Sequence, residues 1–133
     1  MINYIEKYDY NKEELEDLFL SAEWSSGKFP EKLVIAMKNF KTVFSAYDSN
    51  KLIGMICVMD DGVMNAYIHY LLVNPKYQDK GVGKRLVELV KDKYKDYLRI
   101  AVIGYYKAEE FYKKMGFTKS DESNPFFITS LWT

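Results

Sequence analysis

The residues with the clearest chemical potential lie between positions 72 and 86, Leu-Val-Asn-Pro-Lys-Tyr-Gln-Asp-Lys-Gly-Val-Gly-Lys-Arg-Leu. An apolar strand there runs into a glycine turn that opens a helix. The first amides of a helix have no intrahelical acceptor, and the helix dipole concentrates positive charge at the same end. Gly81 and Gly83 let a ligand approach the backbone. Lys76, Lys80, Lys84 and Arg85 surround the turn with Asp79 as the one acid among them. The chemistry this suits is the binding of a ligand that carries several phosphates. The turn lacks the Gly-Lys-Ser/Thr ending of a P-loop and the three-glycine fingerprint of a dinucleotide fold, which disfavours a nucleotide enzyme.

Groups able to move a proton or attack a carbonyl are few. His69 is the only histidine and Cys57 the only cysteine. One thiol forms neither an internal disulfide nor a zinc cluster, and Cys57 sits in the apolar run 52–59, where a free cysteine behaves as a small hydrophobe. His69, on a predicted strand, reads as a structural histidine, a substrate contact or a base. Glu23, in Ala22-Glu-Trp24 at the end of a predicted helix, reads as a solvated charge or a base.

Positioning these groups requires a definite order of elements. Residues 2–8 form a first strand, and Asn11 or a residue beside it caps a helix whose apolar stripe is Leu15, Leu18, Phe19 and Ala22. Ser25-Ser-Gly-Lys breaks that helix, and Pro30 starts a second through Leu33, Ala36, Met37 and Phe40. The period then changes to two. Runs at 42–47, 51–59 and 66–73, separated by turn-forming Asp48-Ser-Asn and Asp60-Asp-Gly, predict an antiparallel meander. The middle run is apolar on both faces, so helices should cover both sides of the sheet. A helix from Gly81 separates the strand at 66–73 from one at 98–103, which predicts a parallel pair joined by a crossover. A last helix, 107–115, closes at Gly116, and closing strands are expected at Phe117 and at 126–132.

The turn Gln78-x-x-Gly81-x-Gly83 resembles the acetyl-CoA signature of the GCN5-related N-acetyltransferases, and Ala108-Glu-Glu-Phe-Tyr112-Lys-Lys-Met-Gly116-Phe117 looks like that family's last helix. The two motifs stand in the family's order, and the resemblance spans nearly the whole chain. It implies an α/β (α+β) fold: a mixed, mostly antiparallel sheet of six to seven strands, with about four helices on both faces. It further implies an enzyme that moves an acetyl group from acetyl-CoA directly to a primary amine of a small molecule or peptide, without a metal. Cofactor would be held by Leu71, Leu72 and Val73 through their backbone, by Gln78, and by the turn Asp79, Lys80, Gly81, Val82, Gly83 and Lys84.

In the family a tyrosine of the last helix protonates the departing sulfur, and Tyr112 takes the matching place; its other reading is a core aromatic in a chain with 12 tyrosines. Glu23 and His69 are the candidates for deprotonating the amine. Trp24 and Tyr70, with Phe29 and Tyr67, are candidates for lining an acceptor pocket. The chain departs from the family at His69-Tyr70, where relatives often carry acids, and at Tyr105, where many carry asparagine. These departures keep open a second reading, a non-catalytic acetyl-CoA or CoA-binding module acting as a sensor or protein partner.

Composition bounds the remaining classes. A chain of 133 residues with 48% hydrophobic and 29% charged residues is expected to form one acetyltransferase domain over 1–133. Formal net charge is zero and the pI near 6.6, which argues against a nucleic-acid partner. No apolar run approaches the length of a membrane span, and residues 1–7 lack the pattern of a signal peptide, so no membrane partner and a cytoplasmic location are expected. The run Phe126-Phe-Ile-Thr-Ser-Leu-Trp132 would serve either as an internal strand or as the strand of a homodimer.

Overall fold

Two helix starts are fixed by single residues. The Asn11 side chain accepts from the Glu14 amide at 2.8 Å while the Glu14 carboxylate accepts from the Asn11 amide at 3.0 Å, a reciprocal capping box. Pro30 occupies the first turn of the next helix, where its missing N–H costs nothing. The computed structural model describes all 133 residues. The elements run β1 (Ile2–Glu6), α1 (Lys12–Ser21), α2 (Pro30–Asn39), β2 (Thr42–Asp48), β3 (Lys51–Asp60), β4 (Asn65–Val73), α3 (Val82–Lys93), β5 (Arg99–Val102) and α4 (Glu109–Lys114). Short 3₁₀ turns stand at Ser25–Lys28, Pro75–Tyr77 and Tyr106–Ala108.

The five strands lie in the order β1-β2-β3-β4-β5. All neighbours are antiparallel except β4 and β5, which are parallel and joined through α3. Both faces of the sheet are covered, as the apolar β3 requires. On one face Leu15, Leu18 and Phe19 of α1 and Leu33 and Met37 of α2 pack on Val43, Met55, Cys57 and Leu72. On the other, Val82, Leu86, Val87 and Val90 of α3 pack on Ala46, Ile56, Val58 and Ile68. Each such side chain, fully buried, contributes roughly 1.5–3 kcal/mol of transfer free energy.

Two irregularities in β4 open a gap beside its second half. Its pairing with β5 runs only from Asn65↔Arg99 to Ile68↔Val102, so from His69 to Val73 the strand is bonded to β3 alone. At that same point Tyr70 pairs with Cys57 and Ile68 with Val58, which leaves His69 as the extra residue of a β-bulge. A bulge re-aims side chains that strict alternation would send to opposite faces. His69 and Tyr70 both lie against Phe40, at ring-centroid distances of 5.9 Å each.

The sheet has five strands rather than the six to seven expected, because the segments at Phe117 and 126–132 form none. The apolar run after Pro125 has strand composition, yet strand formation also needs an edge to bond to. This segment is instead tied down near its end, where the Tyr105 hydroxyl donates to the Trp132 carbonyl at 3.3 Å and the Ser26 amide to the Thr133 carbonyl at 2.7 Å. No helix is long and apolar enough to cross a membrane.

Cys57 is completely buried in the first core layer, 3.6 Å from the Met37 sulfur, and burial pushes its thiol well above the ordinary range. A thiol reagent is therefore expected to label the native protein only at the rate of unfolding, and at full speed in denaturant. Rapid labelling under native conditions would show that the core between α2 and the sheet is not closed as described.

Candidate functional site

Where β4 parts from β5, the backbone of Leu71, Leu72 and Val73 keeps one hydrogen-bonding edge without a strand partner. Their side chains are absorbed by the two core layers, Leu72 into the first and Leu71 and Val73 into the second. This part of β4 therefore presents peptide groups, not side chains, to the gap. The gap leads directly to the glycine turn. Asn74 ends the strand, its side chain accepting from the Lys76 amide at 3.0 Å, and Gln78 reaches back with its amide nitrogen 3.5 Å from the Val73 carbonyl.

The turn itself is a set of unused donors. None of the amides from Asp79 to Lys84 meets an acceptor in the protein, and the first intrahelical bond is that from Arg85 to the Gly81 carbonyl at 3.0 Å. Gly81 supplies the left-handed conformation that the helix start needs, with φ of 77°, and Asp79 is left-handed as well, with φ of 65°. A carbon added at Gly81 would meet nothing, so the requirement there is purely conformational. Lys76, Lys80, Lys84 and Arg85 are all exposed and form no ion pair. Successive free amides flanked by unpaired cations match the donor set a pyrophosphate needs.

At Gly83 two helices meet, with room for a side-chain carbon at ordinary contact distance. A carbon added there would touch the Phe111 ring at 3.5 Å, so this glycine is where α4 seats against the first turn of α3. The next residue of α4, Tyr112, lies over the end of β5, and a carbon added at Gly104 would stand 2.7 Å from its ring. Gly104 is not among the residues the sequence singles out, although a glycine just after a predicted strand is a signal of close approach. Tyr112 is packed between Phe111 and Phe117, at 5.2 and 5.6 Å. Its hydroxyl makes no hydrogen bond within the protein, and no buried polar side-chain atom is left without a partner, so the hydroxyl reaches open space. Burial of the ring pushes its pKa up to about 12, which keeps the group protonated at neutral pH.

The opposite wall is aromatic. Trp24 stands 5.9 Å from Tyr70 and 6.3 Å from Tyr105, and the Tyr70 hydroxyl lies 3.0 Å from the Ser26 hydroxyl. His69 meets Tyr67 at 5.7 Å and Tyr70 at 4.4 Å. Although the residue is exposed, its ring is partly desolvated by these neighbours, which lowers its pKa below the ordinary 6.5 and leaves it neutral at pH 7. Phe29 takes no part, being exposed with the Lys32 ammonium 5.5 Å over its ring. A broad concavity of about 650 Å³ lined by Glu13, Glu14, Asp17 and Asp48 lies away from these groups, and its acids would repel a polyanion.

Glu23 is held for its backbone. It has φ of 60°, its amide donates to the Leu20 carbonyl at 3.0 Å, and the Trp24 amide donates to the Phe19 carbonyl at 2.9 Å. This is the Schellman ending of α1, a place where glycine is usual. The left-handed residue swings Trp24 back onto Phe19 at 6.2 Å, and the Glu23 side chain forms neither a hydrogen bond nor an ion pair.

The chain matches the family described as acetyltransferase (GNAT) domain over residues 6–127. A histone acetyltransferase of Glycine max is 33% identical over 104 residues, 68% of this chain and 45% of that protein. The chain spans 45%, 42% and 62% of the length of three curated relatives it matches, less than two thirds in each case. Among solved structures, a probable acetyltransferase of methicillin-resistant Staphylococcus aureus superposes with a TM-score of 0.86 at 24% identity, covering 97% of this chain and 99% of that one. An aminoglycoside N-acetyltransferase in complex with CoA superposes at 0.74 with 14% identity, covering 98% and 95%. This protein belongs to the GNAT family of acetyltransferases, and its four helices and mixed sheet are that family's α/β fold.

The strained backbone at Glu23 and the desolvated ring of His69 can each be tested. Glu23→Gly should stabilise the protein by roughly 0.5–1 kcal/mol, because the left-handed strain outweighs glycine's extra unfolded entropy; a fall in the urea midpoint would contradict the backbone role. The single His69 gives one imidazole resonance, and its NMR titration should have a midpoint below 6.5. The unfolded chain then binds that proton more readily. Stability should therefore decline as pH falls through the unfolded pKa, and the decline should end below the folded one. A midpoint at or above 6.5 would show that the aromatic neighbours do not desolvate the ring.

Proposed function

We propose that this protein is an acetyl-CoA-dependent N-acetyltransferase of one domain, 1–133, which passes the acetyl group directly to a primary amine of a small molecule or peptide. The observation that carries the reading is the row of free amides from Asp79 to Lys84 following the lone edge of β4, together with a Tyr112 hydroxyl that is protonated and unbonded within the chain. Acetyl-CoA supplies an activated acetyl thioester whose sulfur departs on transfer. The fit is supported by the donor set: the free amides from Asp79 to Lys84 for the pyrophosphate, the lone edge of Leu71, Leu72 and Val73 for the amide-bearing arm, and Gln78 between them.

The residues divide the work by protonation state. Tyr112 holds the proton that the leaving sulfur takes up, a contribution typically of about 10² to 10⁴ in rate. His69, neutral at pH 7, is the group able to accept a proton from the incoming ammonium, directly or through water. Trp24 and Tyr70 form the wall on the acceptor side, and Glu23 serves by turning the chain that carries Trp24. Two relatives are named for their acceptors, a histone and an aminoglycoside; both present primary amines and fit this reaction class. The non-catalytic module is the weaker reading, because a binding platform has no use for a protonated hydroxyl left without a partner in the chain.

Calorimetric titration with acetyl-CoA should give one-to-one binding, and a panel of amines should release CoA thiol from the complex. Tyr112→Phe should lower turnover by about 10²-fold or more while leaving acetyl-CoA affinity nearly unchanged. Gly104→Ala should produce the same split, since the added methyl claims space held by the Tyr112 ring. Binding without thiol release for any amine would favour the module; turnover unaltered in Tyr112→Phe would remove that hydroxyl from the chemistry.

A further inference from the structure

The aromatic wall on the acceptor side is tied to a short stretch of backbone from elsewhere in the chain. The Thr133 carbonyl accepts from the Ser26 amide at 2.7 Å, from the Ser26 hydroxyl at 2.8 Å and from the Ser25 hydroxyl at 2.8 Å. The Ser25 amide donates to the Thr133 hydroxyl oxygen at 2.7 Å. One residue earlier, the Trp132 carbonyl accepts from the Tyr105 hydroxyl at 3.3 Å. Trp132 and Thr133 thus strap together the turn between α1 and α2, which holds Ser26, and the loop after β5, which holds Tyr105.

These bonds have a direction, and it decides where the protons of the wall lie. A carbonyl oxygen has no proton to give, so the proton between Thr133 and the Ser26 side chain is the serine's own. With that proton committed, the Ser26 oxygen, 3.0 Å from the Tyr70 oxygen, must receive the proton of the tyrosine. Ser26 is 3% exposed, which leaves water little access to compete for this relay. By the same rule Tyr105 spends its proton on Trp132. Neither phenol oxygen has a second partner in the chain, so each turns lone pairs and no proton toward a ligand. The two rings flank Trp24, at 5.9 and 6.3 Å. A wall that accepts and cannot donate suits a group rich in N–H donors, such as an ammonium, whose charge the Trp24 face also favours.

We propose that Ser26 and the strap Trp132–Thr133 are positioning residues for the acceptor: by drawing off the protons of Tyr70 and Tyr105, they set both phenol oxygens to receive N–H bonds from the incoming amine. This rests on the acetyltransferase reading above and adds to it the groups that hold the nitrogen. With the strap in place the two oxygens are preset, so the amine meets acceptors that need no reorientation. Without it, each phenol proton is free to turn toward the ligand, where it opposes the N–H groups of the amine.

Nuclear magnetic resonance on protein carrying tyrosine labelled with carbon-13 at Cζ reads the Tyr70 hydroxyl directly. A proton donated to a buried serine exchanges slowly with water. The wild type should therefore show a protected Tyr70 hydroxyl signal in contact with the Ser26 β-protons, and Ser26→Ala should lose it; a Tyr70 proton in fast exchange in the wild type overturns the proposal. The kinetic arm uses the primary amine that releases CoA thiol fastest. Tyr70→Phe should raise its KM about tenfold while leaving kcat and acetyl-CoA affinity nearly unchanged. Ser26→Ala should raise the same KM, and in the double variant it should add little to Tyr70→Phe, because it acts through that hydroxyl. Fully additive effects, or a fall in kcat at constant KM, overturn the positioning role. No thiol release from any amine sinks the acetyltransferase reading and takes the acceptor role with it; the Tyr70 signal, read without turnover, tells that failure apart from failure of the relay.

Discussion

A strand that outlasts its neighbour is the constraint on which this molecule turns. Backbone N–H and C=O groups in a sheet demand partners, and most strands obtain them on both sides or end at a solvated edge. β4 does neither, because it is interior up to Ile68 and then loses β5 while keeping β3. The bulge at His69 sits at that junction and adds twist where the two strands must separate. The unsatisfied length is short and apolar in its side chains, so what it offers a ligand is an ordered row of peptide groups inside a dry wall. The candidate site is assembled around that row.

The helices hold the row open from two sides. α3 is fixed at its far end by the Tyr94 hydroxyl, which lies 2.6 Å from both Asp60 and Thr42. α4 is fixed to α3 by the Lys91 ammonium, which donates to the Met115 carbonyl at 2.7 Å, and by Phe111 against Gly83. Tyr112 then has little freedom, since Gly104 lies beneath its ring and Phe117 at its side. In the proposed role of proton donor, such restriction would spare Tyr112 a loss of rotamer entropy when it acts. The same packing that orients the ring also lifts its pKa, so orientation and protonation state come from one cause.

Much of this was legible in the residues. Asn11, Pro30, the apolar run of β3 and the Gly81 turn each carry a local physical signature, and each stands where that signature put it. The family resemblance needed only two motifs. What stayed illegible depended on distance and partnership. The expected strands at Phe117 and 126–132 satisfied every local rule and failed for want of an edge within the chain. The backbone role of Glu23 was also out of reach, because its φ of 60° can be seen only in the folded chain. Gly104 drew no attention from the sequence, yet it is the glycine that the approach of an α4 aromatic ring requires, with the Tyr112 ring 2.7 Å from where a side-chain carbon would stand.

The amides from Asp79 to Lys84 also bear on persistence, apart from any role in catalysis. Six donors without acceptors in the chain, with cations around them, offer an anion more than the water that otherwise meets them. An anion held there at a hundred times its dissociation constant adds about 2.7 kcal/mol to the unfolding free energy, a sizeable share of the roughly 5–15 kcal/mol typical of a domain. Resistance to heat and to proteases is therefore coupled to the supply of whatever fills that turn. In a cell, the lifetime of the protein would rise and fall with the concentration of its own ligand.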